Sequence, residues 1–204
     1  IRNGGPGREQ VLEQFDQAIS PGFDPDVHLE RIGIANQTTM LKSESLQVAD
    51  AVSTAMRDRY GEEHLAGHFR NFETICTATQ ERQDAILELL DSPLDLMVVI
   101  GGYNSSNTNN LSRIAATRVE TYHIESARGI VPGNEIRYKP VGAKDPVTRS
   151  DWLKEGPLQI GITAGASTPD SEIGNAILGI LDTLDLELPV EAAEAAAEPG
   201  AKAT

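Results

Sequence analysis

Residues 94–108 read Leu94-Asp95-Leu96-Met97-Val98-Val99-Ile100-Gly101-Gly102-Tyr103-Asn104-Ser105-Ser106-Asn107-Thr108. The nearly continuous apolar run over 94–100 is what a strand covered on both faces requires, and strands of that kind belong to parallel sheets. It ends at Gly101-Gly102, and the Asn/Ser/Thr loop that follows opens a helix carrying Leu111, Ile114 and Ala115. Residues 121–124 read as the next strand. The stretch is therefore a βαβ unit, and it predicts an α/β fold built from strand, polar loop and helix.

Outward from this unit the same junction recurs. Asn36-Gln37-Thr38-Thr39 follows a strand over 29–35 and leads into a helix over 44–60, with Leu46, Val48, Ala49, Val52, Ala55 and Met56 as its buried stripe. Cys76-Thr77-Ala78-Thr79 follows a brief apolar lead over 72–75, and Thr77 with Gln80 matches a capping box for a helix through Leu90. Thr163-Ala164-Gly165-Ala166-Ser167-Thr168 follows an apolar strand over 158–163 and precedes a helix through Ile173, Ile177, Leu178 and Leu181. A short helix is expected over 9–19. Residues 126–156, rich in Pro and Gly, support no element beyond a short helix near Trp152. The Ala/Glu/Pro stretch 191–204 reads as a disordered tail.

A chain of 204 residues with 39% hydrophobic content can bury a substantial core. Its formal net charge of -14 argues against nucleic acid or an anionic membrane as a partner, because the phosphate field would repel it. A single cysteine excludes an internal disulfide, and no segment approaches the roughly 18 apolar residues of a membrane span. These features read as a soluble protein of a reducing compartment. Ile1 stands where an initiator Met would, and 1–7 resembles a Gly-rich linker, so a fragment of a longer protein is expected.

Loops at the carboxyl ends of parallel strands present unpaired helix N–H groups and a partial positive charge to an anion. Several together suggest a phosphate or diphosphate held by hydroxyls and amides. Residues 101–108 match neither the P-loop nor the G-x-G-x-x-G fingerprint, so a nucleotide is not indicated. Ser105, Ser106 and Asn107 offer three neutral donors at one helix start, and Ser167 adds another if the strands are adjacent. The competing reading is an ordinary strand-to-helix connection in which Ser and Asn cap the helix.

Cys76 precedes a helix N-terminus, where the dipole and free N–H groups stabilise a thiolate. The alternative is an inert buried cysteine. A metal cluster needs about three or four thiolates, so if Cys76 is a ligand the others lie outside this chain. His64 and His68 have a spacing that can hold a metal on a helix, but Gly61, Gly67 and the lack of a carboxylate motif favour solvated histidines. His28 and His123 have no evident partner, and Asp16, Asp24 and Asp26 read as turn residues.

Taken together, Asn36-Gln37-Thr38-Thr39-Met40, Thr74-Ile75-Cys76-Thr77-Ala78-Thr79-Gln80-Glu81-Arg82-Gln83, Asn104-Ser105-Ser106-Asn107 and Thr163-Ala164-Gly165-Ala166-Ser167-Thr168-Pro169 resemble the 4-hydroxy-3-methylbut-2-enyl diphosphate reductases. These are the iron–sulfur oxidoreductases that end the non-mevalonate route of isoprene biosynthesis. The resemblance covers about 22–181, and the wording of 22–26 and 152–157 is similar to the plastid and cyanobacterial branch.

It implies parallel-sheet α/β lobes around a [4Fe-4S] cluster, with this chain as a C-terminal part of a three-lobed enzyme. Residues 1–60 would be the end of the middle lobe with a linker, 61–190 the final lobe, and 191–204 a tail. By the resemblance Cys76 is a cluster ligand, with the remaining cysteines elsewhere. Ser105, Ser106, Asn107 and Ser167 hold the diphosphate, with Thr79 a weaker candidate for the same pocket, and Thr38 hydrogen-bonds the substrate hydroxyl in the proton relay. The implied partners are an allylic diphosphate, a ferredoxin- or flavodoxin-like electron donor and the missing lobes of the parent. The implied location is the chloroplast stroma, or the cytoplasm of a cyanobacterium, and the fragment alone is expected to be inactive. A non-catalytic diphosphate-binding module is the alternative.

Overall fold

The computed structural model describes residues 1–2 and 7–187, so the expected tail at 191–204 lies outside the described residues. The chain divides into two compact units between Thr77 and Ala78.

In the first unit, helices α1 (Arg8–Gln14) and α2 (Pro25–His28) precede strand β1 (Ile32–Ala35), helix α3 (Lys42–Tyr60), helix α4 (Leu65–His68) and strand β2 (Phe69–Phe72). The two strands pair in parallel from Ile32↔Phe69 to Ala35↔Phe72, and α3 supplies most of the crossover that parallel pairing demands. The apolar stretch before Cys76 is thus not the strand. Pairing stops at Phe72 because β1 ends at Ala35, and the chain then runs on as coil. Helix α1 stops at Gln14, short of the expected 9–19. Helix α3 buries Ser45, Ala49 and Met56, spaced four and seven apart, which leaves Leu46 and Val48 on its flanks, 45% and 52% exposed. The expected stripe was too wide at those two residues. Gly61 ends α3 at φ +81°, its N–H donating to Arg57 O.

In the second unit, helix α5 (Thr77–Leu89), whose first residue belongs to the preceding unit, leads to β3 (Leu96–Ile100), α6 (Ser106–Ala115), β4 (Glu120–Ile124), β5 (Ile130–Val131), β6 (Glu135–Tyr138), β7 (Val147–Ser150), β8 (Ile160–Ala164) and α7 (Asp170–Thr183). The main sheet is parallel in the order β4-β3-β8, so β3 is central and all five of its residues are buried. Alternation along β3 divides the core. Leu96, Val98 and Ile100 face Tyr122, Ile124, Ile136, Trp152, Ala176 and Ile180, whereas Met97 and Val99 face Ile86 of α5, Leu90 just past its end, and Leu111 and Ala115 of α6. Each large apolar side chain buried this way contributes about 1.5–3 kcal/mol.

The Pro/Gly-rich stretch holds an antiparallel meander, β5-β6-β7, which sequence reading did not anticipate. No helix forms at Trp152. Asp151 takes a left-handed φ of +53°, which breaks helical continuation, and Trp152 is instead drawn into the core, edge-on to Tyr122 at 5.3 Å between ring centres. Helix α7 contains the expected Ile173, Ile177, Leu178 and Leu181 and buries Ala176 and Ile180, while Ile177 and Leu178 stay 36% and 50% exposed. Among the described residues no helix is long and apolar enough to cross a membrane.

Candidate functional site

The second unit builds an edge from the carboxyl ends of β3 and β8. Ile100 O accepts both the Gly165 N–H at 2.9 Å and the Thr168 hydroxyl at 3.2 Å, which ties the loop after β8 to the end of β3. Gly101 N–H donates to Ile124 O at 2.9 Å, tying the loop after β3 to the end of β4. Two glycines make the approach possible. Gly101 has φ +148°, and a Cβ there would lie 2.7 Å from Thr108 Oγ1. A Cβ on Gly165 would collide with the same Thr108 hydroxyl. The loops bearing Ser105–Asn107 and Ser167 are thus held on one edge, as the adjacent-strand expectation required.

The polar residues on this edge have different roles. Ser105 is the N-cap of α6, its Oγ accepting the Thr108 N–H at 3.3 Å. Ser106 and Ser167 are exposed. Ser167 is not a cap, because α7 is preceded by Pro169 and has no side-chain cap. Asn107 is 4% exposed at the second residue of α6, and neither its amide nitrogen nor its amide oxygen has a hydrogen-bond partner. A buried amide left unpaired costs about 1–3 kcal/mol, so the site holds a polar group that the protein itself does not satisfy.

Three side chains that sequence reading assigned no role shape this edge. Asn109 Nδ2 donates to both Tyr103 O and Ser105 O at 2.9 Å. His123, 2% exposed on β4, hydrogen-bonds Gly101 O through Nε2 at 2.8 Å. Burial pushes its pKa below the ordinary histidine value against the Gly101 bond, which favours the charged form. Arg82 of α5 donates from Nε to Ala164 O at 3.2 Å, placing a guanidinium beside the start of the β8 loop. The signal for His123 lay in its register, since Val99↔His123 pairing puts it one residue from the end of β4.

Thr79 lies on the buried face of α5 with Gln83 and Ile86, 1% exposed. The expected capping box is absent: Thr77 is itself the first helical residue, and the Gln80 side chain donates along the helix to Asp84 at 2.7 Å.

The first unit brings Thr38 and Cys76 together. Past the paired strands, Thr74 Oγ1 accepts the Asn36 N–H at 2.7 Å and donates to Asn36 O, and the Cys76 N–H donates to Thr38 O at 3.4 Å. The loop after β1 and the loop after β2 are laced side by side. Cys76 is exposed, immediately before the first residue of α5. The two other loci considered from sequence have local partners. His68 Nδ1 bonds Glu30 O at 2.7 Å and its ring stacks on Tyr60 at 3.7 Å, His64 stays exposed, and His28 Nδ1 accepts the Asp24 N–H at 2.8 Å. Asp24 caps α2 by accepting the Asp26 N–H. Among the described residues no group of three or more His, Cys, Asp or Glu could hold a metal ion.

Comparison with known proteins places this arrangement in context. The family profile described as LytB protein matches residues 8–180. Curated relatives named 4-hydroxy-3-methylbut-2-enyl diphosphate reductase include one from Crocosphaera subtropica, 50% identical over 183 residues, covering 89% of this chain and 45% of the relative. One from Synechococcus sp. strain RCC307 is 52% identical over 196 residues, covering 96% and 47%. The chain thus spans less than half the length of these relatives. A solved structure of the Plasmodium falciparum diphosphate reductase superposes with a TM-score of 0.50 at 18% identity, covering 83% of this chain and 43% of that one, a likeness of fold alone.

Proposed function

The chain belongs to the LytB protein family, and on that premise we propose that it forms the diphosphate-binding part of a 4-hydroxy-3-methylbut-2-enyl diphosphate reductase. The observation that carries this reading is the unpaired, buried Asn107 amide at the start of α6, between Ser105 and Thr108 on an edge shared with the Ser167 loop. A diphosphate oxygen would satisfy the Asn107 Nδ2 donor. Ser106 and Ser167 would each donate a hydroxyl proton, and the N–H groups of the first turn of α6 would supply the partial positive charge. With a net charge of -14, local dipoles of this kind, aided by Arg82, are how such a chain holds an anion.

In the whole reductase the exposed thiol of Cys76 would be one ligand of a [4Fe-4S] cluster, and its position ahead of a helix N-terminus suits a thiolate. The chain has one cysteine, so the other thiolates come from other polypeptide segments. When bound, the cluster would supply two electrons, and with protons the substrate hydroxyl would leave as water. Thr38, laced to Cys76 through its carbonyl, would hydrogen-bond that hydroxyl and orient it for protonation. The physiological electrons would come from a ferredoxin- or flavodoxin-like donor, in the chloroplast stroma or the cytoplasm of a cyanobacterium.

The test is titration of the 204-residue chain with inorganic diphosphate, followed by amide NMR. Saturable binding with shifts concentrated at 101–108 and 165–168 is expected. No binding, or shifts centred on other residues, would overturn the assignment of this edge. Binding of diphosphate by a full reductase that forms no cluster would instead favour a non-catalytic module.

A further inference from the structure

An anion-binding loop has to keep its own carbonyl oxygens, which are negative dipole ends, from facing the anion. In the loop after β3 four carbonyls are engaged by donors of the protein. Gly102 O accepts the Ser105 N–H, Tyr103 O and Ser105 O accept Asn109 Nδ2, and Gly101 O is met by His123 Nε2. The donors to the first three lie in the loop or on α6. His123 is the one that reaches in from a different strand.

We infer that His123 is a positioning residue for the loop over 101–107, its imidazole holding the Gly101 carbonyl from Nε2–H while its ring seats Tyr103. The inference rests on the reading of this loop as a diphosphate cradle. Gly101 is gripped at both ends of its residue: its N–H goes to Ile124 O at 2.9 Å and its carbonyl to His123 at 2.8 Å. Because a carbonyl oxygen can only accept, Nε2 must carry the proton. Two residues further on, the Tyr103 ring meets the imidazole edge-to-face, 5.1 Å between centres at 75°. Lys139 adds a third contact, its ammonium 6.0 Å from the centre of the Tyr103 ring and its N–H bonded to His123 O at 2.8 Å. The charged groups acting on the imidazole are Lys139, which opposes its protonation, and Glu125, which favours it.

A histidine that merely fills the core would be replaceable by any apolar side chain of similar size. A positioning histidine requires the donor. Glutamine can place a side-chain N–H near the reach of Nε2, and leucine cannot, so His123→Gln and His123→Leu separate the two roles.

The experiment uses the 204-residue chain. Long-range proton–nitrogen NMR of the imidazole in the unsubstituted protein is expected to show Nε2 protonated and Nδ1 bare, and the opposite tautomer would overturn the inference. Amide hydrogen exchange at 102–107 is expected to rise about tenfold in His123→Leu, with α7 amides unchanged, and to return toward the original rate in His123→Gln. Affinity for inorganic diphosphate should follow the same order, about tenfold weaker in His123→Leu and restored in His123→Gln. Equal behaviour of the two variants, or unchanged exchange in His123→Leu, refutes a positioning role. If His123→Leu does not fold, the tautomer and the exchange rates of His123→Gln still decide. Failure of the unsubstituted chain to bind diphosphate, with the exchange pattern as expected, would overturn the diphosphate reading while leaving the hold on the loop intact.

Discussion

Replacing Asn107 by Ala would separate ligand binding from folding, because on the proposed reading this side chain serves the first, while its buried, unpaired amide works against the second. In the folded chain its amide is buried and unpaired, a state that costs about 1–3 kcal/mol. Truncation to Ala removes that cost and improves helix propensity by a few tenths of a kcal/mol, offset in part by the small void left behind. The expected net effect is unchanged or increased stability, by up to about 2 kcal/mol, or a Tm raised by at most about 8 °C in a chain of this size. Diphosphate should behave oppositely. Loss of one hydrogen bond to a charged oxygen is worth about 1.5–3 kcal/mol, a roughly 10- to 150-fold weaker affinity at 1.4 kcal/mol per decade. Urea unfolding and calorimetric titration of inorganic diphosphate on the same preparation provide both numbers. A variant destabilised by about 1 kcal/mol or more with its affinity intact would mean that Asn107 serves the fold, and the argument from its unpaired amide would fail.

Ser105→Ala should lose about 1 kcal/mol of stability because it removes the α6 cap, whereas Ser167→Ala, which caps nothing, should leave unfolding unchanged and weaken diphosphate binding; equal destabilisation in both would contradict this division. Anaerobic reconstitution of the isolated chain with iron and sulfide should give no stoichiometric [4Fe-4S] spectrum, since one thiolate stands where about three or four are needed, and a full cluster absorbance would show the reasoning wrong. His123 is held neutral with a pKa below its unfolded value near 6.5, so its linked stability is intact above about pH 6.5 and is lost as pH falls from there to the folded value. Relative to His123→Gln, the unsubstituted chain should therefore lose up to about 1.4 kcal/mol per pH unit within that window, and a difference between the two that stays constant from pH 7 to pH 5 would refute it.

What sequence could and could not reveal follows from how far apart the interacting residues lie. The β3 strand was legible because both its faces are buried, so its five residues are apolar without interruption. The meander over 130–150 was not, because its strands have two to four residues, β7 is exposed along its whole length, and its pairing depends on neighbours rather than on a local period. The stripe of α3 was overdrawn at Leu46 and Val48, where periodicity marks a face but not its width.

The candidate site divides in the same way. Its hydroxyl and amide residues stood out as a cluster in one loop, yet their separate roles depended on contacts that no spacing encodes. Ser105 and Ser167 look alike as sequence, and differ because one begins a helix at its own position while the other lies three residues before α7. Thr108 looked like the end of a polar run, and proves to be the side chain against which Gly101 and Gly165 both pack. A larger residue at either glycine would push the two loops apart, so the spacing between Asn107 and the Ser167 loop is set by the glycines that directly follow two different strands. It follows that Gly165 constrains the edge as firmly as any residue that would touch a ligand, although it has no donor or acceptor side chain of its own.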